Sequence, residues 1–478
     1  MSVTAASGSD PSPGGPVFDP ILTLAAWWDV TLATRAPPAY IEGCIRERWS
    51  RLLDHARRRS PFYRGRIAGS VRALQDVEPV DRDQLMAHFS DWVADPAVDR
   101  AGLERFVADP QRIGESFAGR YVAWTSSGSA GTPGLFLQDA AAMAVYDALE
   151  MVRFLGVDSP GAFLLRAASA GRYALVAATG GHFASTVSLE RLRRLNPGVR
   201  DRARVFSVLD PIERLAGALQ DFQPRILATY PTAAVLLAAE QAAGRLNLEL
   251  AEIWTGGEGL RAADRERIES AFACPVRNEY GASEFLGIAW ECPRRTLHVN
   301  ADWIILEPVD RNGVPVPPGV PSHTTLVTNL ANRVQPLIRY DLGDSITVLP
   351  DPCPCGSALP AIAVEGRADE TLWVVSSEGR TVALVPLALT TVIEDEGGLF
   401  HFQLLQVEPG VLVLRCGPEP DRPARERACH ALRCFLAAQG LAGVRLEASL
   451  QSPQVDPHSG KLRRVIALGP QPARPLPA

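Results

Sequence analysis

VFSVLDPIERLAGALQDFQPRILATYPTAAVLLAAEQAAGRLNLELAEIWTGGEGLRAADRERIESAFACPVRNEY, residues 205–280, carries the alternation that decides the fold. Short runs rich in β-branched and aromatic residues (205–209, 226–229, 252–257 and 275–280) alternate with helical stretches at 211–219, from Thr232 onward and at 261–272. This spacing predicts βα units and a sheet covered by helices. Open α/β sheets bind ligands beyond the carboxyl ends of their strands, where TGGEG (255–259) and NEYGASE (278–284) fall.

Upstream, residues 38–57 read as a helix. A proline near its start is followed by Ile41, Ile45, Trp49, Leu52, Leu53 and Ala56 at spacings of three and four, which places them on one face. Downstream, residues 299–349 hold short strands (WIILEP, TTLVTNL, PLIRYDL, SITVL) around the turn-rich stretch 310–321, predicting a β subdomain. After Gly366 the pattern changes again, with paired strands near 402–407 and 411–416, a helix at 423–438 closed by Gly440, and a strand near 444–448. The expected architecture is α/β. It comprises a disordered tail at 1–16, a large multi-layer α/β N-terminal domain at 17–367 that includes the β subdomain, and a small mobile α+β C-terminal domain at 368–478.

The 478 residues hold 48 basic and 54 acidic side chains, a formal charge of -6, and 46% are hydrophobic. Such a composition fits a folded protein of enzyme size and opposes broad adhesion to nucleic acid or anionic lipid. No apolar run reaches the roughly 18–20 residues of a membrane span. The first residues lack a basic start followed by an apolar stretch, so no secretory signal is read and a cytoplasmic location is expected. Eight cysteines are too sparse for a disulfide scaffold. Their spacing says more: Cys292 and His298 precede an expected strand, while Cys353 and Cys355 share the turn PCPCGS. Two compact ligand pairs suit a closed Cys₃His structural zinc site; free thiols beside an unrelated histidine are the alternative.

TSSGSAGTPG (125–134) crowds hydroxyls and glycines into a loop able to approach a polyphosphate, through Thr125, Ser126, Ser127, Gly128, Ser129, Gly131 and Thr132. It is not a Walker A loop, because no Lys-Ser/Thr pair follows at the required spacing, and a Ser/Gly-rich linker is the bland alternative. In NEYGASE, Tyr280 offers a ring to a base, Ser283 a hydroxyl to a phosphate and Glu284 an oxygen ligand to Mg²⁺. A plain strand-to-helix turn would have the same pattern. RYDLGD (339–344) sets Asp344 behind a glycine, suited to accept two hydrogen bonds from a ribose diol, unless it is an ordinary turn aspartate.

In this order, TSSGSAGTPG, TGGEG, NEYGASE, PLIRYDLGD (336–344), GRADE (366–370) and HSGKLRRV (458–465) resemble the motifs of the adenylate-forming (AMP-binding) ligase superfamily, specifically its phenylacetate-coenzyme A ligase-like branch, over about residues 120–465. The resemblance implies an acid–CoA ligase (AMP-forming). With ATP and Mg²⁺ it would convert a carboxylic acid, aromatic or arylalkanoic in that branch, to an acyl-adenylate, release pyrophosphate and pass the acyl group to coenzyme A. It further implies Lys461, Glu284 and Arg367 as catalytic residues, with Arg367 on the ribose or phosphate and Mg²⁺ at Glu284. Gly256, Gly257 and Glu258 would line the adenine side, and Asn278, Glu279, Tyr280, Gly281 and Ser283 would surround the nucleotide. Asp369 would mark the hinge, and His182, Tyr230, Gly281 and Ala282 the acid pocket. A backbone-satisfied histidine and a core tyrosine are the alternatives for His182 and Tyr230. Nucleic acid and membrane partners are not expected, and a homodimer is left open.

The chemistry asks for a cation that arrives with the reaction, because a carboxylate attacking the α-phosphate of ATP brings two anions together. Lys461 is the only lysine in the sequence. Two features depart from the branch: Thr132 follows Gly131 where lysine is usual, and 371–386 (TLWVVSSEGRTVALVP) lacks the usual pattern. The second leaves room for an amine or a carrier-protein thiol as acceptor. Transfer of AMP to a non-carboxylate, and a zinc-stabilised binding protein with a decayed site, are further alternatives.

Overall fold

The computed structural model describes residues 17–67, 73–126, 133–162, 171–365, 371–376, 378–418, 420–454 and 462–468. An opening hairpin, β1 (Val122–Thr125) and β2 (Leu135–Gln138), is antiparallel. The βα alternation follows: β3 (Tyr173–Ala177), β4 (Ala203–Ser207), β5 (Ile226–Thr229), β6 (Glu252–Thr255) and β7 (Val276–Ala282) are parallel neighbours in the order β4-β3-β5-β6-β7. The helices Ala184–Leu195, Ile212–Phe222, Pro231–Ala242 and Ala262–Phe272 connect them. The expected strands and helices between 203 and 282 are thus present, and β3 is an addition that the alternation did not announce.

The sheet continues antiparallel through β8 (Phe285–Glu291) and β9 (Leu297–Val299). Within the expected β subdomain, β10 (Ile304–Val309), β11 (Thr324–Asn329) and the two-residue β12 (Tyr340–Asp341) form a separate three-stranded sheet. β13 (Ser345–Val348) leaves it. It pairs with β14 (Ala361–Glu365), which pairs with β9, so both strands extend the main sheet to nine. The β region is therefore partly fused to the large sheet. The reason lies in β14, whose pairing with β9 spans more than sixty residues and is invisible to local pattern.

Beyond residue 371, β15 (Leu372–Val375) and β16 (Thr381–Leu384) form a hairpin. β17 (Gln403–Glu408), β18 (Val411–Arg415), β19 (Arg445–Ser449) and β20 (Val465–Ala467) form a four-stranded sheet packed by the helix Arg422–Ala438. One apolar cluster joins the N-terminal helices to the hairpin and the antiparallel half of the large sheet. Another runs from Leu227, Leu237 and Ile268 of the parallel half to Leu404, Leu432 and Val465 of the C-terminal lobe. The lobes are also stitched by Gln439 donating to the Leu209 carbonyl at 2.7 Å and by Arg380 paired with Glu213 at 2.8 Å. No helix among the described residues is long and apolar enough to cross a membrane.

Candidate active site and metal centre

A chamber of about 2430 Å³ opens at the carboxyl ends of the parallel strands. That is more than twice the upper end of the roughly 300–1,000 Å³ typical of a single-ligand pocket. Its rim collects the sequence motifs. The hairpin brings Thr125 and Ser126 to it. Ser126 is tied to Gly134: its amide donates to the Gly134 carbonyl at 3.0 Å and its Oγ accepts from the Gly134 amide at 2.9 Å. Trp124 Nε1 donates to the Ser283 carbonyl at 2.9 Å, tying this hairpin to NEYGASE.

On β7 the Tyr280 hydroxyl donates to Asp344 Oδ2 at 2.9 Å, so the residues chosen for base and ribose meet on one wall. Thr255 Oγ1 donates to Asn278 Oδ1 at 3.0 Å, fixing Asn278 at the end of β6. Glu258 Oε2 accepts from the Thr232 amide at 3.1 Å and the Thr232 hydroxyl at 2.7 Å, so this carboxylate caps the helix Pro231–Ala242 while facing the chamber. Gly257 has φ +78 and lies against the Tyr230 ring, where a Cβ would stand 3.2 Å away. The Tyr230 hydroxyl accepts from the Ala178 amide at 3.3 Å. Gly281 admits no side chain: a Cβ would lie 1.8 Å from the Leu286 carbonyl oxygen, across the tight β7–β8 connection. Gly256, Ala282 and Ser283 also line the chamber.

Glu284 is buried. Its Oε1 accepts from the Tyr340 hydroxyl at 2.7 Å, with Arg82 Nη2 at 3.9 Å. The Tyr340 phenol is held far above its ordinary range, by burial first and then by the neighbouring Glu284. Two expectations meet a different placement. His182 does not line the chamber; its ring lies 5.3 Å from Phe106 in the core, and its carbonyl accepts from the Thr125 amide at 2.8 Å. Glu279, expected beside the nucleotide, alternates with Tyr280 on β7, and its carboxylate lies over Gly287, where a Cβ would come within 2.9 Å of Oε1. Ser127, Gly128, Ser129, Gly131, Thr132, Arg367, Asp369 and Lys461 lie outside the described residues. Those just after Lys461 do border the chamber: Arg463 and Arg464 line it, and Arg464 pairs with the buried Glu394.

The ligand atoms of Cys292, His298, Cys353 and Cys355 lie within 4.8 Å of one another. Cys292 and Cys353 sulfurs are 3.8 Å apart and Cys355 Sγ is 3.3 Å from His298 Nε2. A tetrahedral zinc with Zn–S of about 2.3 Å and Zn–N of about 2.0 Å spaces its ligand atoms roughly 3.5–3.8 Å apart. His298 Nδ1 sits 2.9 Å from the Leu359 carbonyl, the outer contact that leaves Nε2 as the ligating nitrogen. Burial pushes the Cys353 thiol up, but hydrogen bonds from the Cys355 backbone, Thr296 and His298 outweigh it and bring the group to about 6. Burial and the neighbouring Cys353 and Cys292 thiols raise Cys355 to about 11, so the two thiols titrate as a pair and the first proton comes off the pair readily.

No family model matches the chain. Over 283 residues, 54% of this chain and 63% of the relative, it is 29% identical to a phenylacetate-coenzyme A ligase of Thermus thermophilus. Over 130 residues, 27% of each protein, it is 30% identical to protein CapK of Staphylococcus aureus. The chain thus matches less than two thirds of the length of either curated relative. A solved 2-hydroxyisobutyryl-CoA ligase, in complex with 2-HIB-AMP and CoA in the thioesterification state, is similar at 21% identity over 91% of both chains, with a TM-score of 0.59. The chain shares the fold of that ligase. The score is lower against the same ligase in its postadenylation state, 0.54, and in an open form, 0.53.

Sequence reasoning missed Arg82, which begins the helix Arg82–Ala87 behind the cap Asp81 and approaches Glu284 from far upstream. It also missed Glu150, Phe154 and Tyr173, which line the chamber from elements that carry no motif. Only the alternation of β3 could have flagged the last of these.

Proposed function

We propose that this protein uses ATP to activate a carboxylic acid as an acyl-adenylate, releases pyrophosphate, and transfers the acyl group to coenzyme A. The observation that carries this reading is the large chamber at the strand ends, on whose walls Ser126, Glu258, Tyr280, Asp344, Glu284 and the arginines following Lys461 converge. Its size suits a nucleotide and an acid together. In this reading the ribose diol is held by Asp344, already oriented by Tyr280, and the phosphates by the hydroxyls and amides of residues 125–132. Arg367 assists on the ribose or phosphate, and Asp369 is the hinge between domains that divide at 367/368. Lys461 neutralises the approach of carboxylate and α-phosphate. Mg²⁺ suits the Glu284 carboxylate, where it would share the position with Arg82; when bound it would draw charge from the phosphates. The body of the acid, aryl or alkyl, lies against Tyr230, Gly281, Ala282 and the apolar residues beyond them.

Zinc fits the Cys292–His298–Cys353–Cys355 cluster on spacing, thiolate chemistry and the outer contact of His298. With every position filled by protein it fastens the PCPCGS turn to β9 and performs no chemistry. The relatives' names support coenzyme A as the acceptor. ATP–pyrophosphate exchange across a panel of carboxylic acids tests the first step: exchange is expected with at least one acid, and none with any acid would defeat the reading. Product mass with coenzyme A tests the second.

A further inference from the structure

The helix Pro20–Thr34 is apolar on two opposite faces, and the described residues cover only one of them. Ala26, Val30 and Ala33 are buried, on the side that packs along the helix Ala140–Leu149. Ile21, Leu24, Ala25, Trp28 and Leu32 recur at spacings of three and four residues and form an exposed stripe on the other side. Ile21 is 78% exposed, Leu24 67%, Trp28 59% and Leu32 46%. A helix apolar on both sides belongs in an interior, so this stripe calls for a cover. Its support is fixed: Trp27 Nε1 donates to the Val157 carbonyl at 2.8 Å, Arg153 Nε to Thr34 Oγ1 at 3.0 Å, and Arg48 Nη2 to Asp29 Oδ2 at 2.5 Å.

Together with the exposed parts of Phe18, Leu22 and Tyr40, the stripe leaves roughly 700 Å² of mainly apolar surface in water. The largest such patch on a typical monomer is about 300–600 Å², and each partner in a stable interface gives about 800 Å². Charge decides what kind of partner fits. The charged residues between 17 and 36 are Asp19, Asp29 and Arg35. Asp19 caps the helix, accepting from the Ile21 and Leu22 amides at 2.9 and 3.0 Å; Asp29 is paired with Arg48, and Arg35 with Asp158. The helix carries no lysine or arginine with which to hold a lipid headgroup, as interfacial helices do. Residues 1–16 hold Met1 and Val3 as their only large apolar side chains, too few to cover the stripe.

We propose that the stripe is covered by the same stripe of a second copy of the chain, the two helices lying antiparallel across a two-fold axis. Run antiparallel about the point between Ala26 and Trp27, the stripe complements itself: Ile21 falls opposite Leu32, and Ala25 opposite Trp28. Each indole then meets a small residue. A parallel pairing would instead set Trp28 against Trp28. The antiparallel contact is reciprocal and closes at two copies. The two stripes together would bury about 1,400 Å², within the roughly 1,200–2,000 Å² of specific interfaces, and their apolar character is that of a contact between identical subunits.

Sedimentation velocity of the whole chain from about 0.5 to 100 µM tests this, since the dissociation constants of stable pairs of this size fall at or below that range. The wild type is expected to form dimers. Trp28→Glu, at a position open to water in the single chain, is expected to weaken them about 30-fold or more while circular dichroism stays unchanged. Ile21→Lys and Leu32→Glu are each expected to weaken the dimer, and the two combined to pair about tenfold more tightly than either alone, because the new charges meet across the axis. Along one helix these positions are about 16 Å apart, so no such recovery arises within a chain. A wild type that stays monomeric throughout overturns the proposal, whatever part of its own chain then covers the stripe. Dimers unaffected by Trp28→Glu, or a double variant no better than the single ones, overturn it as well. A monomer that co-sediments with phosphatidylcholine vesicles would assign the stripe to lipid instead.

Discussion

At the residue scale, Lys461 and Gly281 show two ways a single position can be decisive. Lys461→Ala is expected to lower ATP–pyrophosphate exchange by about 10²–10³-fold, the usual loss on removing one transition-state donor, while the protein stays folded by circular dichroism. Gly281→Ala acts through packing. Its Cβ would fall 1.8 Å from a backbone oxygen of Leu286, which cannot swing aside. A loss of about 1–3 kcal/mol or more is expected in urea denaturation, with activity falling in parallel. Glu279 predicts a pH effect. Burial and Glu150 raise it from 4.5 to about 8, so between those values the folded state binds the proton more strongly than the unfolded chain. Its contribution to stability is present below pH 4.5 and is lost as pH rises through 8. Melting temperatures across that range are expected to fall less steeply in Glu279→Gln than in the wild type. A parallel slope in the two proteins would show that Glu279 is already ionised at neutral pH.

At the scale of elements, the Cys292–His298–Cys353–Cys355 cluster, proposed to hold zinc, joins β9 to a turn more than fifty residues later. Chelation of a preparation made in metal-free buffers with added zinc is expected to release one equivalent by plasma emission and to lower the melting temperature by several degrees; Cys355→Ala should hold less metal. No bound zinc in the wild type would contradict the assignment. This cluster was legible because its four residues are chemically distinctive and closely paired in sequence. The parallel strands from Ala203 to Ala282 were legible because βα alternation is local. The fusion of β13 and β14 to the large sheet was not, since pairing across 297–365 leaves no local period. His182 misled because TGGHFAS places it next to a chamber-facing segment, yet the backbone turns its ring into the core.

At the scale of the whole molecule, two lobes share an apolar cluster and a small set of polar ties. The Arg380–Glu213 pair is exposed, 51% and 57% for the two side chains, and pairs of this kind are worth about 0–1 kcal/mol. Such contacts favour one arrangement without locking it, which the proposed two-step reaction would require of the C-terminal lobe. The segment following Lys461 borders the chamber in the present arrangement, through Arg463 and Arg464. The central claim is that a carboxylate oxygen attacks the α-phosphorus of ATP, breaking its bond to pyrophosphate, and that the acyl carbon–oxygen bond then breaks on transfer to the thiol. One oxygen of the acid must therefore leave in AMP. With an acid found active by exchange and labelled in its carboxylate with oxygen-18, mass spectrometry of the AMP formed in the presence of coenzyme A is predicted to show one heavy oxygen. AMP free of label, with both heavy oxygens retained on the acid-derived product, would contradict the account.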